Sequence, residues 1–363
     1  MKLVSRVLIA ALLAVALLAP PAHAWFRTPA TRFATLPPGA AHPEGITVDD
    51  RGNVYVTTFA VQGTATGNGQ MFVFNQHGRL LRQVNVANSS TLLLDLAFHP
   101  HSGALLVLDF AASKVLQVDP VSGASQVFSD LSAGPQPGLN VLTFDRAGNV
   151  YVSASFAGAV YKIGPHGGAA TTWVQSDLLK TTGVPGFGAN GLAFNRAQST
   201  LFVNNTGNDT VVKVPVNHDG SAGTPAVFVN SVNGADGLII DEHDNLWIAA
   251  NQADEIVVIN PSGRTIAKLG DFNGLGHDGA PIGLLFPASL VFSGPFVYVT
   301  NLAIDLRLFD DPSQPTLTNG TGDSPWTADV KVHTISRIPA FISPISGPCT
   351  SAGARGRIPE AEE

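Results

Sequence analysis

The chain has 363 residues, with 20 Lys and Arg against 27 Asp and Glu, a formal net charge of −7 and only 13% charged residues. No cluster of Lys and Arg occurs anywhere along it, so the surface should repel a phosphate backbone, which argues against nucleic-acid binding. The 37 Gly and 25 Pro suit many short strands joined by tight turns and place the chain in the all-β class.

Residues 1–24 read as a secretory signal peptide. Lys2 and Arg6 precede an apolar run from Val7 to Leu18, and Ala22-His23-Ala24 is a small-residue cleavage pattern. That run is too short to span a bilayer, which takes about 20 apolar residues, and no later run is long enough either. The expectation is a secreted or periplasmic protein with no membrane insertion after signal cleavage. Removal of the leader leaves 339 residues from Trp25 onward, enough for one large core. Residues 25–343 are assigned to that domain and 344–363 to a flexible tail. The single Cys349 lies in the tail and takes no role.

Six repeated units follow. Each has a leading residue four places before a Phe, Val or Ile, then a turn and an alternating apolar strand. The leading positions are Glu44, Leu94, Asn140, Asn190, Asp236 and Ala288, spaced by 50, 46, 50, 46 and 52 residues. A four-stranded propeller blade takes roughly 40 to 50 residues, so the expected fold is a six-bladed β-propeller. In the first unit Asp49-Asp50-Arg51-Gly52-Asn53 turns the first strand into Val54-Tyr55-Val56, and Asp145-Arg146-Ala147-Gly148-Asn149 and Asp241-Glu242-His243-Asp244-Asn245 repeat the turn. Third and fourth strands follow in five units. The sixth has third-strand character over residues 330–338 but no fourth strand after Pro339, while residues 31–36 match a fourth strand ahead of the first unit. The N-terminal segment is therefore expected to supply the outer strand of the last blade, closing the ring.

Three connections exceed what a blade needs, at residues 61–70, 180–189 and 302–328; long connections often form lids or binding loops. The last carries Asp310-Asp311-Pro312 and Trp326, which suit a cover over one mouth of the channel or a surface excursion.

The innermost strand of each blade lines the central axis, so the ring brings Glu44, Asn140, Asn190 and Asp236 to one level. Two carboxylates and two amide oxygens form a hard ligand set that suits Ca²⁺, with Mg²⁺, Mn²⁺ or Zn²⁺ as alternatives. Glu44 and Asp236 together neutralise a divalent cation. Asn and Asp before a strand also serve local turns, but a purely local role would not confine polar residues to one ring.

Pro43-Glu44-Gly45, Asn190-Gly191-Leu192 and Asp236-Gly237-Leu238 make the chain resemble the senescence marker protein, gluconolactonase and luciferin-regenerating enzyme family from about Thr31 to Pro339, and more distantly paraoxonases and strictosidine-synthase-like proteins. The resemblance implies a six-bladed fold and one divalent metal held by Glu44, Asn190 and Asp236, with Asn140 beside metal and substrate. One departure stands out: the sugar-lactonase branch has an Arg two places before the third-unit Asn and an Asp after it, whereas this chain reads Gly138-Leu139-Asn140-Val141. That departure weakens an aldonolactone reading, and the apolar Leu94, Leu139, Phe187 and Ala288 lean toward a less polar ligand.

Two classes of function remain open at this level. In the first, the protein is a metal-dependent lactonase or esterase on a small-molecule substrate, acting as a monomer, with Asp236 accepting the water proton and Asn140 orienting substrate. In the second, a non-catalytic propeller binds a protein or carbohydrate and the metal is structural. His277 in the fifth-to-sixth link is either a general base or part of an exposed turn. No Gly-x-Ser-x-Gly elbow, zinc-type Cys/His spacing or nucleotide fingerprint occurs.

Overall fold

The computed structural model describes residues 27–61, 67–309 and 324–341. The expected leader and tail, Cys349 and Asp310-Asp311-Pro312 lie outside the described residues. The recurring turn is built by one carboxylate. Asp49 Oδ1 accepts from the backbone N–H groups of Arg51 (3.0 Å) and Asn53 (2.8 Å), and its Oδ2 accepts from Asn53 Nδ2 (2.7 Å) and the Tyr55 hydroxyl (3.1 Å). Asp145 repeats this with Asn149 and Tyr151, and Asp241 with Asn245 and Trp247. A short acidic side chain that satisfies the turn backbone fixes where the second strand starts.

Strand β1 (Thr31–Thr35) precedes the first blade, which comprises β2 (His42–Val48), β3 (Val54–Phe59), β4 (Gln70–Phe74) and β5 (Leu80–Asn85). The second blade is β6 (Leu93–Phe98), β7 (Leu105–Asp109), β8 (Lys114–Val118) and β9 (Ser125–Asp130). The third is β10 (Leu139–Phe144), β11 (Val150–Ala154), β12 (Ala159–Ile163) and β13 (Thr171–Gln175), and the fourth β14 (Ala189–Phe194), β15 (Thr200–Asn205), β16 (Thr210–Pro215) and β17 (Ala226–Val229). The fifth blade is β18 (Ala235–Ile240), β19 (Leu246–Ala250), β20 (Glu255–Ile259) and β21 (Thr265–Leu269). A small hairpin, β22 (Phe272–Leu275) and β23 (Pro281–Gly283), comes before the last blade strands β24 (Pro287–Ser293), β25 (Phe296–Asn301) and β26 (Thr334–Pro339).

Every blade is an antiparallel four-stranded sheet, and the sixth has the order β1-β26-β25-β24. The chain is a six-bladed β-propeller closed by its N-terminal strand, with Thr31 opposite Arg337 and Thr35 opposite Thr334. Innermost strands pack in sequence around the axis and β24 packs on β2 to complete the ring. The hydrophobic core lies between neighbouring blades, as where Tyr55, Met71 and Val73 of the first blade meet Leu93, Leu96 and Val107 of the second. The axis holds polar leading residues beside the apolar Leu94 and Ala288.

Two details differ from the sequence reading. The third strand of the last blade starts at Thr334, not at residue 330, because a helical turn at Ser324–Thr327 runs directly into this segment and the Lys331 N–H bonds the carbonyl of Gly279 (3.0 Å). The fifth-to-sixth link carries the β22–β23 hairpin, whose Gly-rich sequence shows no alternation. Among the described residues no helix is long and apolar enough to cross a membrane.

Candidate metal centre

The innermost strands share one irregularity, and it sits at the leading residue in all six blades. In β2, Pro43 is opposite Thr58 and Ile46 opposite Val56, so Glu44 and Gly45 together face Thr57. The same two-against-one bulge places Leu94-Asp95, Asn140-Val141, Asn190-Gly191, Asp236-Gly237 and Ala288-Ser289 opposite one residue each. A bulge re-aims a side chain out of the regular alternation. The residue opposite also ties the bulge down. The Gly45 N–H donates to Thr57 Oγ1 (3.1 Å), Val141 N–H to Ser153 Oγ (3.0 Å) and Ser289 N–H to Thr300 Oγ1 (3.0 Å). Hydroxyls and an amide then stitch three of the blades to the next: Thr57 donates to the Leu94 carbonyl, Asn204 Nδ2 to that of Asp236 (2.6 Å) and Thr300 to that of Glu44 (2.7 Å). The glycines after Glu44, Asn190 and Asp236 follow from this approach, since a Cβ would stand 2.4 Å from the Leu94 oxygen, 2.2 Å from the Asp236 oxygen and 2.6 Å from the Ala288 oxygen respectively.

Glu44, Asn140, Asn190 and Asp236 all line one cavity of about 50 Å³, together with Thr206 and Asn251. Each of the four is buried. Each also carries one oxygen with no hydrogen-bond partner, namely Glu44 Oε2, Asn140 Oδ1, Asn190 Oδ1 and Asp236 Oδ1. Native interiors rarely tolerate such atoms unless something else occupies them. The amides are oriented from behind. Asn140 Nδ2 donates to Ser155 Oγ (3.1 Å), whose own proton goes to the Ala189 carbonyl (2.7 Å). Asn190 Nδ2 donates to Thr206 Oγ1 (2.9 Å), whose proton goes to the Ala235 carbonyl (2.8 Å). Asn251 Nδ2 donates to Asp236 Oδ2 (3.0 Å).

The electrostatics ask for a cation. Burial, followed by the charges of Asp236 and Asp95, pushes Glu44 well above the usual carboxylate range. Asp236 is pushed up to about 7 by burial, partly offset by the amides of Asn251 and Asn190. Burial likewise pushes Asp95 up to about 7 although the Leu142 and Leu96 N–H groups bond it. No Lys or Arg lines the cavity among the described residues. Among the described residues no three His, Cys, Asp or Glu side chains converge. The donor set is therefore hard oxygen with a single pair of carboxylates, which fits Ca²⁺ better than Zn²⁺.

Other residues singled out in the sequence lie elsewhere. Asn205 donates to the carbonyls of Leu178 (2.9 Å) and Lys180 (2.8 Å), Asp109 accepts from the N–H groups of Ser90 and Ala112, and Asn301 accepts from Leu285 N–H and donates to Thr334 Oγ1. His277 is exposed in the β22–β23 turn. Trp326 does not line the cavity and packs on Phe272, with ring centroids 5.5 Å apart. The cavity is covered instead by Leu302, Ile304 and Leu306 after β25, with Phe187 and Phe286. Ser155, Thr206 and Asn251 were missed, although a signal exists: each stands 15 or 16 residues after a polar leader, whereas the position 15 after Glu44 is Phe59 and that after Ala288 is Ala303.

With this geometry in hand, residues 97–270 match the family described as the SMP-30/Gluconolactonase/LRE-like region. This region runs from within β6 to just beyond β21 and contains Asn140, Asn190 and Asp236; Glu44 precedes it and joins the same cavity through the fold. Lactonase drp35 of Staphylococcus saprophyticus subsp. saprophyticus is 25% identical over 158 residues, covering 40% of this chain and 45% of that protein, so the match spans less than half of the relative. A luciferin-regenerating enzyme superposes with a TM-score of 0.59 at 16% identity, covering 84% of this chain and 93% of that one. Regucalcin of Agrobacterium tumefaciens strain C58, a calcium-binding protein, superposes with a TM-score of 0.57 at 15% identity, covering 88% and 99%. At these identities the superpositions speak to the fold alone.

Proposed function

We propose that the channel binds a divalent cation, Ca²⁺ foremost, and that the protein hydrolyses a lactone or ester there. The observation that carries this reading is the convergence of the unpartnered oxygens of four leading residues, two of them carboxylates, in one cavity with no Lys or Arg among its described lining. Glu44, Asn190 and Asp236 would hold the cation and Asn140 would complete the shell or orient the substrate. A cation so held supplies Lewis acidity, polarising a carbonyl and offsetting negative charge on its oxygen. The chain's own residues do the rest. Water adds to the carbonyl carbon, the bond from that carbon to the ring or ester oxygen breaks, and one water proton ends on the departing oxygen. Asp236 would carry that proton, with Asn251 fixing one of its oxygens (3.0 Å). The likeness to a lactonase over part of the chain supports the same chemistry.

A second reading, a binding propeller with a structural cation, is favoured by the size of the cavity, since about 50 Å³ admits a few waters and no whole lactone. Thermal melting in EDTA and in excess Ca²⁺, beside Glu44→Gln, comes first. Ligand at about a hundredfold over Kd stabilises by about 2.7 kcal/mol, so the wild type should melt several degrees higher with Ca²⁺ and the variant should lose most of that rise. A wild-type melt indifferent to both additions removes the metal-dependent hydrolase reading.

A further inference from the structure

We propose, resting on the hydrolase reading, that the substrate is a neutral lactone or ester with a hydrocarbon body, and that Phe156 and Phe187 form the surface that selects it. The hydrogen-bond donors of the described cavity lining are partly engaged already. The Thr206 hydroxyl proton is committed to the Ala235 carbonyl, one Asn251 N–H to Asp236, and one N–H each of Asn140 and Asn190 to Ser155 and Thr206. With Glu44 Oε2, Asn140 Oδ1, Asn190 Oδ1 and Asp236 Oδ1 directed at a cation, few groups in the described lining, such as Asn251 Oδ1, remain for the hydroxyls of a sugar. A polyol buried there would leave some of its hydroxyls unpartnered, which costs binding free energy.

The cavity is also too small for the body of the substrate, which must lie along its mouth. There the surface is aromatic from solvent inward. Phe156 is 47% exposed, its ring centroid is 5.5 Å from that of Phe187, and Phe187 lines the cavity. Phe110 backs both, at 5.7 Å from Phe156 and 6.2 Å from Phe187. The Phe156 ring is seated on Gly138, whose φ is +71° and where a Cβ would stand 2.9 Å from two ring carbons. Gly138 lies two residues before Asn140, so the position that leads into the third ligand strand is filled by an aromatic face.

The test uses the full mature protein loaded with Ca²⁺ and three lactones sharing a six-membered ring: D-glucono-δ-lactone, δ-valerolactone and δ-nonalactone, the last with a butyl side chain. The expected kcat/KM rises roughly twofold to fourfold per methylene, with the polyhydroxy lactone the poorest. Phe156→Ser should lower kcat/KM for δ-nonalactone about tenfold and flatten the chain-length dependence, and Phe156→Leu should restore most of it. Binding of the same compounds by calorimetry separates the two claims. Turnover of D-glucono-δ-lactone equal to or better than δ-nonalactone overturns the substrate class while the hydrolase stands. No turnover of any lactone, with δ-nonalactone alone bound, removes the hydrolase and keeps the ligand class. Absence of both turnover and binding overturns this inference.

Discussion

Asn140 and Asn190 present an oxygen to the channel because the hydroxyl behind each has already spent its proton. Ser155 and Thr206 donate to backbone carbonyls of the following blade, so they can only accept, and the group that reaches them must be an NH₂. The amide orientation thus follows from connectivity, and the position of a ligand oxygen depends on how one blade sits against the next. Residues of this kind tune cation affinity about 10- to 100-fold when removed. Thr206→Val is expected to weaken Ca²⁺ binding by that factor and to shrink the Ca²⁺-induced melting shift, while Thr206→Ser retains both. Wild-type affinity in Thr206→Val, measured by calorimetry, would show that the hydroxyl does not set the amide.

At the scale of elements, the first strands are legible in the sequence because a polar leader, a Gly and an Asp-Gly-Asn turn mark them together, as in Glu44 to Asn53. The closing strand is legible as well, since residues 31–36 carry a fourth-strand pattern with no blade of their own. The bulge at each leader is not legible: its two-against-one count exists only relative to the partner strand. The same holds for the cover, because Leu302, Ile304 and Leu306 read as an ordinary apolar stretch until the ring curls them over the cavity. Nor does the sequence disclose the histidine pair at the closing seam. His42, at the start of β2, bonds the Leu302 carbonyl through Nδ1 (3.0 Å), and its ring meets His333 edge-on at 4.7 Å. The His333 carbonyl accepts from the Leu36 N–H (3.0 Å), just past β1.

Burial, and to a smaller extent the charge of His42, lowers His333 from 6.5 to about 3. His42 is also lowered by burial, against the pull of its backbone bonds and of Asp305. A histidine kept neutral in the folded chain binds a proton first in the unfolded chain, so stability is lost as pH falls below about 6.5 and the loss continues toward pH 3. The raised channel carboxylates Glu44, Asp95 and Asp236 slope the opposite way, because they bind protons in the folded chain first. Comparing the wild type with His333→Phe cancels that contribution. The variant's melting temperature is expected to fall less, or rise more, than the wild type's between pH 7 and pH 5; parallel curves would assign the acid response to other groups.

For the molecule as a whole, the seam between the sixth and first blades is where the ring closes, and the position of the proposed cation ligand Glu44 depends on it. Phe33, Ala34 and Leu36 are buried against Ile46 and Phe72 of the first blade and Tyr298 and Ile335 of the sixth, with Phe33 and Tyr298 edge-on at 4.4 Å. Thr300 of the sixth blade holds the carbonyl of Glu44 across the same seam. Deletion of residues 25–36 removes about 3–6 kcal/mol of side-chain burial from Phe33 and Leu36 alone, a large part of the 5–15 kcal/mol that stabilises a typical domain. It also bares β26 as a sheet edge. Loss of a single blade's outer strand is therefore expected to act on the whole ring: the truncated protein should melt at least 10 °C lower or not fold, in one transition, and should lose its response to Ca²⁺ although all four ligands remain in the chain. A truncated protein that melts as the wild type does and keeps its Ca²⁺ shift would mean that the seam between β24 and β2 holds without the N-terminal strand, and that Glu44 is positioned by its own blade.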